Sequence, residues 1–260
     1  AAIAEVGTAA AALELIENAY AELAPFSWDR IVERHGHLAA IRESMLVLEG
    51  LPSATRLALV AKLSETLAQF VVARNWMSAD RAGRLASDAR ERSTVHIAAR
   101  TRGEDMLGLV RHLRATGQLT AGLILRALLS GNLDLFDSAL AELTDLPLSR
   151  VSALLHDRGG ASLQALLIRA GFPESTFAAF RVALEACHEN GFADTAGGAA
   201  SLRRRMVERV LTHCETDRHA AEPLMILLRR FATESAREEA RMFCDELAAE
   251  DAVAHDLMAA

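Results

Sequence analysis

The stretch from Gly131 to Gly171, GNLDLFDSALAELTDLPLSRVSALLHDRGGASLQALLIRAG, has a counterpart 95 positions earlier in the same chain, GHLAAIRESMLVLEGLPSATRLALVAKLSETLAQFVVARNW. Between Gly36 and Arg74, nine of 39 positions are identical to the later copy without a gap: Gly36/Gly131, Leu38/Leu133, Leu48/Leu143, Leu51/Leu146, Pro52/Pro147, Ala58/Ala153, Leu59/Leu154, Gln69/Gln164 and Arg74/Arg169. In a chain this rich in Ala and Leu, roughly three matches would arise by chance. The apolar stripe Leu38, Ile41, Met45 and Leu48 recurs as Leu133, Phe136, Leu140 and Leu143, so both copies are expected to bury the same helix face. A repeat of this kind implies like helical units stacked on one another.

Composition narrows the units to helices. Aromatics are 5 % of the chain, Ala and Leu dominate, and Arg far exceeds Lys. β-Branched and aromatic residues suit a pleated surface, and straight-chain residues suit a helix. No strand pattern of useful length occurs. Half of the residues are hydrophobic, ample for a core. The formal charge of −7 removes the usual attraction to nucleic-acid phosphates. Three scattered cysteines build no disulfide framework and suit a reducing cytoplasm. No apolar run reaches membrane-spanning length, and no basic segment leads into an apolar core as in a signal peptide. The sequence starts on Ala rather than Met, so residues upstream are expected.

Read in order, the chain opens with an amphipathic helix over 9–23 whose face is Leu13, Ile16, Tyr20 and Leu23, ended by Pro25. Ser27 is placed as the N-cap of the next helix, which stops at Gly36. After the Leu51-Pro52 turn, capped by Ser53 or Thr55, the pattern stays helical from Thr55 to Asn75, with Ser64 as a candidate internal break, and Ser78 and Asp80 open a polar helix to Arg100. Arg100 to Glu104 is the interior linker candidate. The Gly159-Gly160 pair falls opposite Ser64-Glu65, so a helix that can run through in the first copy is cut in the second. The segment HENGFADTAGGAAS reads as the most flexible stretch. Three helices follow: Leu202 to His213, Ala221 to Ala232 and Ser235 to Ala249. The expected fold is all-α: stacked antiparallel helix pairs, a HEAT-like α-solenoid with an internal duplication of about 95 residues. It is read as a single domain over 1–260, with copy one at 27–100, copy two at 122–195 and C-terminal helices over 202–260.

The run LVRHLRATGQLTAGLILRALLSGNLDLFDSALAELTDLPLSRVSALLHDRGGASLQALLIRAGFP resembles a bacterial family known as domain of unknown function 2336. The resemblance rests on a basic-apolar helix, an L-T-x-x-L-I/L-L-R-A-L segment followed by Gly, a phenylalanine-centred helix, the Leu-Pro turn and a closing A-G-F/L-P. It is close from Leu109 to Pro173 and looser over LPSATRLALVAKLSETLAQF. It implies an all-helical, HEAT-like repeat. The family has no assigned activity, so the resemblance transfers no catalytic residue.

No P-loop, dinucleotide fingerprint, HExxH, GxSxG or EF-hand occurs. Cys187-His188 and His213-Cys214 are soft, zinc-compatible pairs, but adjacent residues on a helix diverge by about 100°, so each pair supplies one ligand of the four zinc needs. No metal or cofactor is expected. Arg203, Arg204 and Arg209 form a basic patch that could meet an acidic partner or lie solvated beside Glu208. Arg74 and Arg169 occupy equivalent repeat positions at helix ends, where a cation suits the helix dipole. Trp28 and Trp76 are candidate partner anchors, with core packing as the alternative. Residues 146–170 could pass for helix-turn-helix, with Arg158, Gln164 and Arg169 as the available contacts.

These features point to a non-catalytic, cytoplasmic protein–protein interaction scaffold or regulatory module for a protein partner not identified by sequence. Homodimerisation is the rival use of the same surface. A DNA-binding regulator using 146–170 is the alternative, and an enzyme of unassigned reaction the second.

Overall fold

The computed structural model describes residues 1–156, 160–190, 198–216 and 221–259, with backbone alone at 190, 198–199 and 249–259. Every regular element among them is helical. Backbone contacts divide the chain into two compact units, Ala1–Gln118 and Leu119–Ala260. Each is built of packed helix pairs consistent with a helical-repeat architecture.

The first unit holds α1 (Ala2–Val6), α2 (Ala9–Glu17), α3 (Pro25–His35), α4 (Ala39–Leu46), α5 (Ser53–Ala73), α6 (Ala79–Arg100) and α7 (Gly103–Ala115). Helices α1 and α3, α2 and α4, α3 and α5, and α5 with both α6 and α7 pack on one another. Ala12, Ile16, Ile31, Val32, Ile41, Met45 and Leu59 form a core with half-buried Trp28 against it. The start of α5 needs a cap that Pro52 cannot supply. Asp105 of α7 provides it: its carboxylate accepts from the Ser53 backbone N–H (3.0 Å) and hydroxyl (2.6 Å), with Thr101 2.7 Å from the same hydroxyl. The expected linker Arg100 to Glu104 is therefore the tight corner between α6 and α7, tied into the first unit rather than separating two.

Two expectations near the N-terminus are corrected. The first long helix stops at Glu17 because the Asn18 side chain accepts from the Tyr20 backbone N–H (3.0 Å), a local bond that competes with the helix. Tyr20 is 96 % exposed rather than on a buried face. Pro25 opens α3 instead of closing its predecessor, since its missing N–H costs nothing in a first turn. Ser27 is buried inside that turn.

The second unit holds α8 (Ala121–Leu129), α9 (Leu133–Thr144), α10 (Leu148–His156), α11 (Ala161–Arg169), a single 3-10 turn (Glu174–Thr176), α12 (Phe177–Asn190), α13 (Gly198–Thr216) and α14 (Glu222–Ala259). Its mostly aliphatic core holds Phe136 stacked on Phe180 (6.2 Å between centroids), with half-buried Phe172 stacked on Phe180 from the edge (5.4 Å). Helix α10 ends at His156 and α11 begins at Ala161, with Gly159 outside the described residues, while α5 runs unbroken through Ser64. The two expected stripes are buried at Ile41 and Met45 and at Phe136 and Leu140, but their first members, Leu38 and Leu133, sit half-exposed at the helix starts.

The two helices expected over 221–249 are one. Thr233 and Ser235 return their hydroxyls to the carbonyls of Arg229 (3.0 Å) and Ala232 (3.1 Å), so neither breaks the ladder. Arg126 of α8 fastens α14: it pairs with Glu234 (2.5 Å), and its guanidinium carbon lies 4.1 Å from the Phe231 ring centre. The flexible stretch expected over 188–201 falls largely outside the described residues.

Phe136→Ala removes a ring with no solvent exposure and is expected to cost about 3–5 kcal/mol in urea denaturation. Asp105→Ala, which strands the α5 start, should cost about 1–2 kcal/mol.

Candidate partner-binding surface

Helices α5 and α6 form a hairpin of 21 and 22 residues, longer than the core they rest on. Ser53, Thr55, Leu57 and Leu59 of α5 are buried, and nothing beyond Leu59 on that helix is. On α6 the buried residues are Thr94, Val95 and Ala98 near its end, with only Ala82 towards the tip. At a rise of about 1.5 Å per residue, the remaining two-thirds of α5 extends roughly 20 Å past the last core contact.

That distal part carries Leu63, Leu67 and Phe70, spaced by four and three, which places them on one face, and all are exposed. Leu85 of α6 is also exposed. The turn fixes Trp76 beside them. Asn75 takes the left-handed conformation (φ 57°), its N–H bonds to the Val72 carbonyl (2.9 Å), and the Trp76 N–H bonds to the Val71 carbonyl (3.0 Å). This is a Schellman ending, in which the residue after the left-handed one commonly touches the helix's last turn. Here Trp76 stands edge-on to Phe70, 5.6 Å away at 88°, and stays 70 % exposed. Arg74 lies 5.3 Å from the Phe70 ring centre, a cation–π contact. The tip is an apolar patch with a cationic edge.

The other sequence candidates have local partners. Trp28 packs half-buried on the first unit's core. The Arg169 side chain donates to the Thr144 carbonyl at the end of α9 (2.7 Å). Arg203 pairs with Glu238 (2.5 Å), Arg204 with Glu208 (2.8 Å) and Glu239 (2.6 Å), and Arg209 with Glu189 (2.5 Å). Apart from Arg204–Glu208, which lies within α13, these bonds join α13 to its neighbours α12 and α14. The hydrogen bond from Arg204 holds Glu239 below the ordinary carboxylate range, and Arg209 does the same for Glu189. Arg158 lies outside the described residues.

The soft pairs do not converge. Burial pushes the Cys187 thiol up to about 12, and Cys214 is buried too. Burial also raises the Asp137 carboxyl, against the hydrogen bond from Ser152 (2.8 Å). His156 and His188 face each other at 5.9 Å between ring centres on the surface. Among the described residues, no three His, Cys, Asp or Glu side chains are grouped to hold a metal ion, and no helix is long and apolar enough to cross a membrane.

Of the tip residues, sequence reasoning named Arg74 and Trp76 and missed Leu63, Leu67, Phe70 and Leu85. Their spacing was visible, but spacing alone does not say whether a stripe is covered.

Residues 1–219 match the model of the family described as "Uncharacterised protein conserved in bacteria (DUF2336)". The chain belongs to this family. The match takes in α1 to α13 and ends before α14. No curated protein and no solved structure matches the chain.

A carboxylate whose pKa is lower folded than unfolded stabilises the fold above the unfolded value, and that contribution is lost as pH falls through the folded value. Arg204→Gln is therefore expected to lower the melting temperature slightly at neutral pH. In scans at decreasing pH, the gap to wild type should close below the reference value of 4.5, as Glu239 takes up its proton in both proteins.

Proposed function

We propose that the protein is a non-catalytic interaction scaffold that grips a protein partner with the tip of the α5–α6 hairpin. The observation that carries this reading is the exposed stripe Leu63, Leu67 and Phe70, with exposed Trp76 edge-on to Phe70. Contiguous apolar surface of this kind marks interaction sites.

A HEAT-like repeat with a unit of about 95 residues deepens the reading, and the helix starts support it. Those at Ala39, Ser53, Ala79 and Gly103 have counterparts within one residue of the same shift, at Leu133, Leu148, Glu174 and Gly198. In that register Leu63, Leu67 and Phe70 stand opposite Arg158, Ser162 and Ala165, and exposed Leu85 opposite fully buried Phe180. At the three α5 positions the second copy puts small or polar residues where the first carries large apolar ones, and at the α6 position it puts a buried ring where the first carries an exposed leucine. Folding one repeat does not need the difference, so a partner is the better account of it.

The DNA-binding alternative is less well supported. On α11 the inward side is Leu163, Leu166 and Leu167, Gln164 is exposed, and the Arg169 side chain is engaged with Thr144. A recognition helix needs several side chains free to reach base edges. Three free cysteines, two of them buried, favour a reducing compartment, and the reading includes a cytoplasmic setting.

Affinity purification from the native cell, followed by reconstitution with each purified candidate, tests the scaffold. Wild type and Arg203→Gln/Arg204→Gln are expected to hold the same stoichiometric protein, and Leu67→Asp/Trp76→Asp to lose it at least about tenfold. Equal retention by all three overturns the reading. So does clear turnover in a hydrolase screen, or a specific, salt-sensitive DNA complex.

A further inference from the structure

We propose that the hairpin tip is occupied by the C-terminal part of α14 from a second copy of this chain. The inference rests on the scaffold reading above and names its partner.

Helix α14 is 38 residues long, and its neighbour α13 is 19. Their antiparallel register is fixed by Arg229–Glu215 (3.7 Å) at one end and by Arg203–Glu238 and Arg204–Glu239 at the other. Since α13 begins at Gly198, that register gives out near Phe243. At this point α14 turns outward-apolar: Phe243 is 60 % exposed, and Leu247, one turn on, is exposed too. Beyond Met242 the sequence holds Asp245, Glu246, Glu250, Asp251 and Asp256 and no Lys or Arg, a formal charge of −5. The family match stops before this helix begins.

The tip has the opposite character. Between Thr66 and Ser87 it carries Arg74, Arg81 and Arg84 against Asp80 alone, a formal +2 in a chain whose total is −7. Arg81 and Arg84 are exposed. Each surface thus offers an apolar stripe flanked by charge, and the signs complement. Two tips placed together would set +2 against +2, and two tails −5 against −5. Like charge across an interface is disfavoured, and opposite charge steers and registers it. An amphipathic helix laid on a two-helix face is a common recognition mode, read from apolar anchors at i and i+4. Phe243 and Leu247 have that spacing, and Leu63, Leu67 and Phe70 form the stripe that receives them. The contact is heterologous: one copy's tail meets the other's tip.

Sedimentation velocity of the full chain over a concentration series is the test. Wild type is expected to exceed the monomer mass, with association roughly tenfold weaker in high salt than in low. Leu67→Glu/Phe70→Glu disables the tip, and Phe243→Arg/Leu247→Arg disables the tail. Each variant alone should sediment as a monomer with wild-type helical circular dichroism. Their equimolar mixture should recover a dimer, because an intact tail then meets an intact tip. Arg81→Glu/Arg84→Glu mixed with Asp245→Arg/Glu246→Arg gives the same readout through charge alone, and covers a stripe variant that fails to fold. A wild type monomeric at every concentration overturns the proposal. So does a tail variant that still self-associates, which would mean tip-to-tip pairing, and so does a mixture that stays monomeric. A monomeric chain that nonetheless binds a different purified protein through its tip sinks self-docking alone and leaves the scaffold standing.

Discussion

Short helices end in carbonyls that have no partner of their own, and in both units those ends lie close to the core, where an unmet carbonyl is costly. The solution recurs: an arginine from a later helix or turn reaches back to the carbonyls of an earlier one. Arg34 forks onto Ala4 and Gly7 at the end of α1. Arg42 meets Gly36 and His37 after α3, and Arg56 gathers Leu46, Leu48 and Leu51 after α4. Arg169 takes Thr144 after α9. A guanidinium is a rigid fork that spans several acceptors, whereas an ammonium is a compact, strongly hydrated point charge. This requirement gives physical sense to a composition in which Lys62 is the single lysine among 28 basic residues. It also shows why many arginines here are fasteners before they are candidate ligand groups.

With the ends met, side-chain volume decides how each unit fills. In the second, Phe172 leaves its helix through a left-handed Gly171 (φ 77°) and turns inward onto Phe180. In the first, Trp76 leaves a turn of the same type, stands edge-on to Phe70 and stays exposed. The same backbone device delivers an aromatic ring to the core in one unit and to the surface in the other. Arg126 adds a further difference. Its pairing with Glu234 and its stacking on Phe231 tie α8 to α14, committing the first half of that long helix to the second unit and leaving its acidic end beyond α13.

The sequence carried the helical class, the course of α5 and α6 and the break between α10 and α11, because each follows from periodicity, propensity or a Gly-Gly pair. It misled where a side chain decides between two local structures. Asn18 could have stayed in its helix and instead bonds to the Tyr20 N–H; Thr233 and Ser235 could have ended α14 and instead bond back into it. Pro25 is an equally good end or beginning, and only the packing of α3 on α1 decides. The tip was half-legible for a deeper reason. Leu63, Leu67 and Phe70 form a sound amphipathic stripe, and a stripe looks the same in sequence whether a helix of the same unit covers it or none does.

Exposure at the tip is best understood through what a repeat leaves free. Inward positions are bound by volume: Ile41, Met45, Phe136 and Leu140 are fully enclosed, and changing any of them disturbs a filled space. Outward positions carry no such condition. Leu63, Leu67 and Phe70 are exposed, so polar or small residues there would leave the core untouched. Large apolar groups there add little to folding and raise the risk of unwanted association. Stability resides in the stripes facing inward, so the large apolar groups at the tip are left free for the partner contact proposed above.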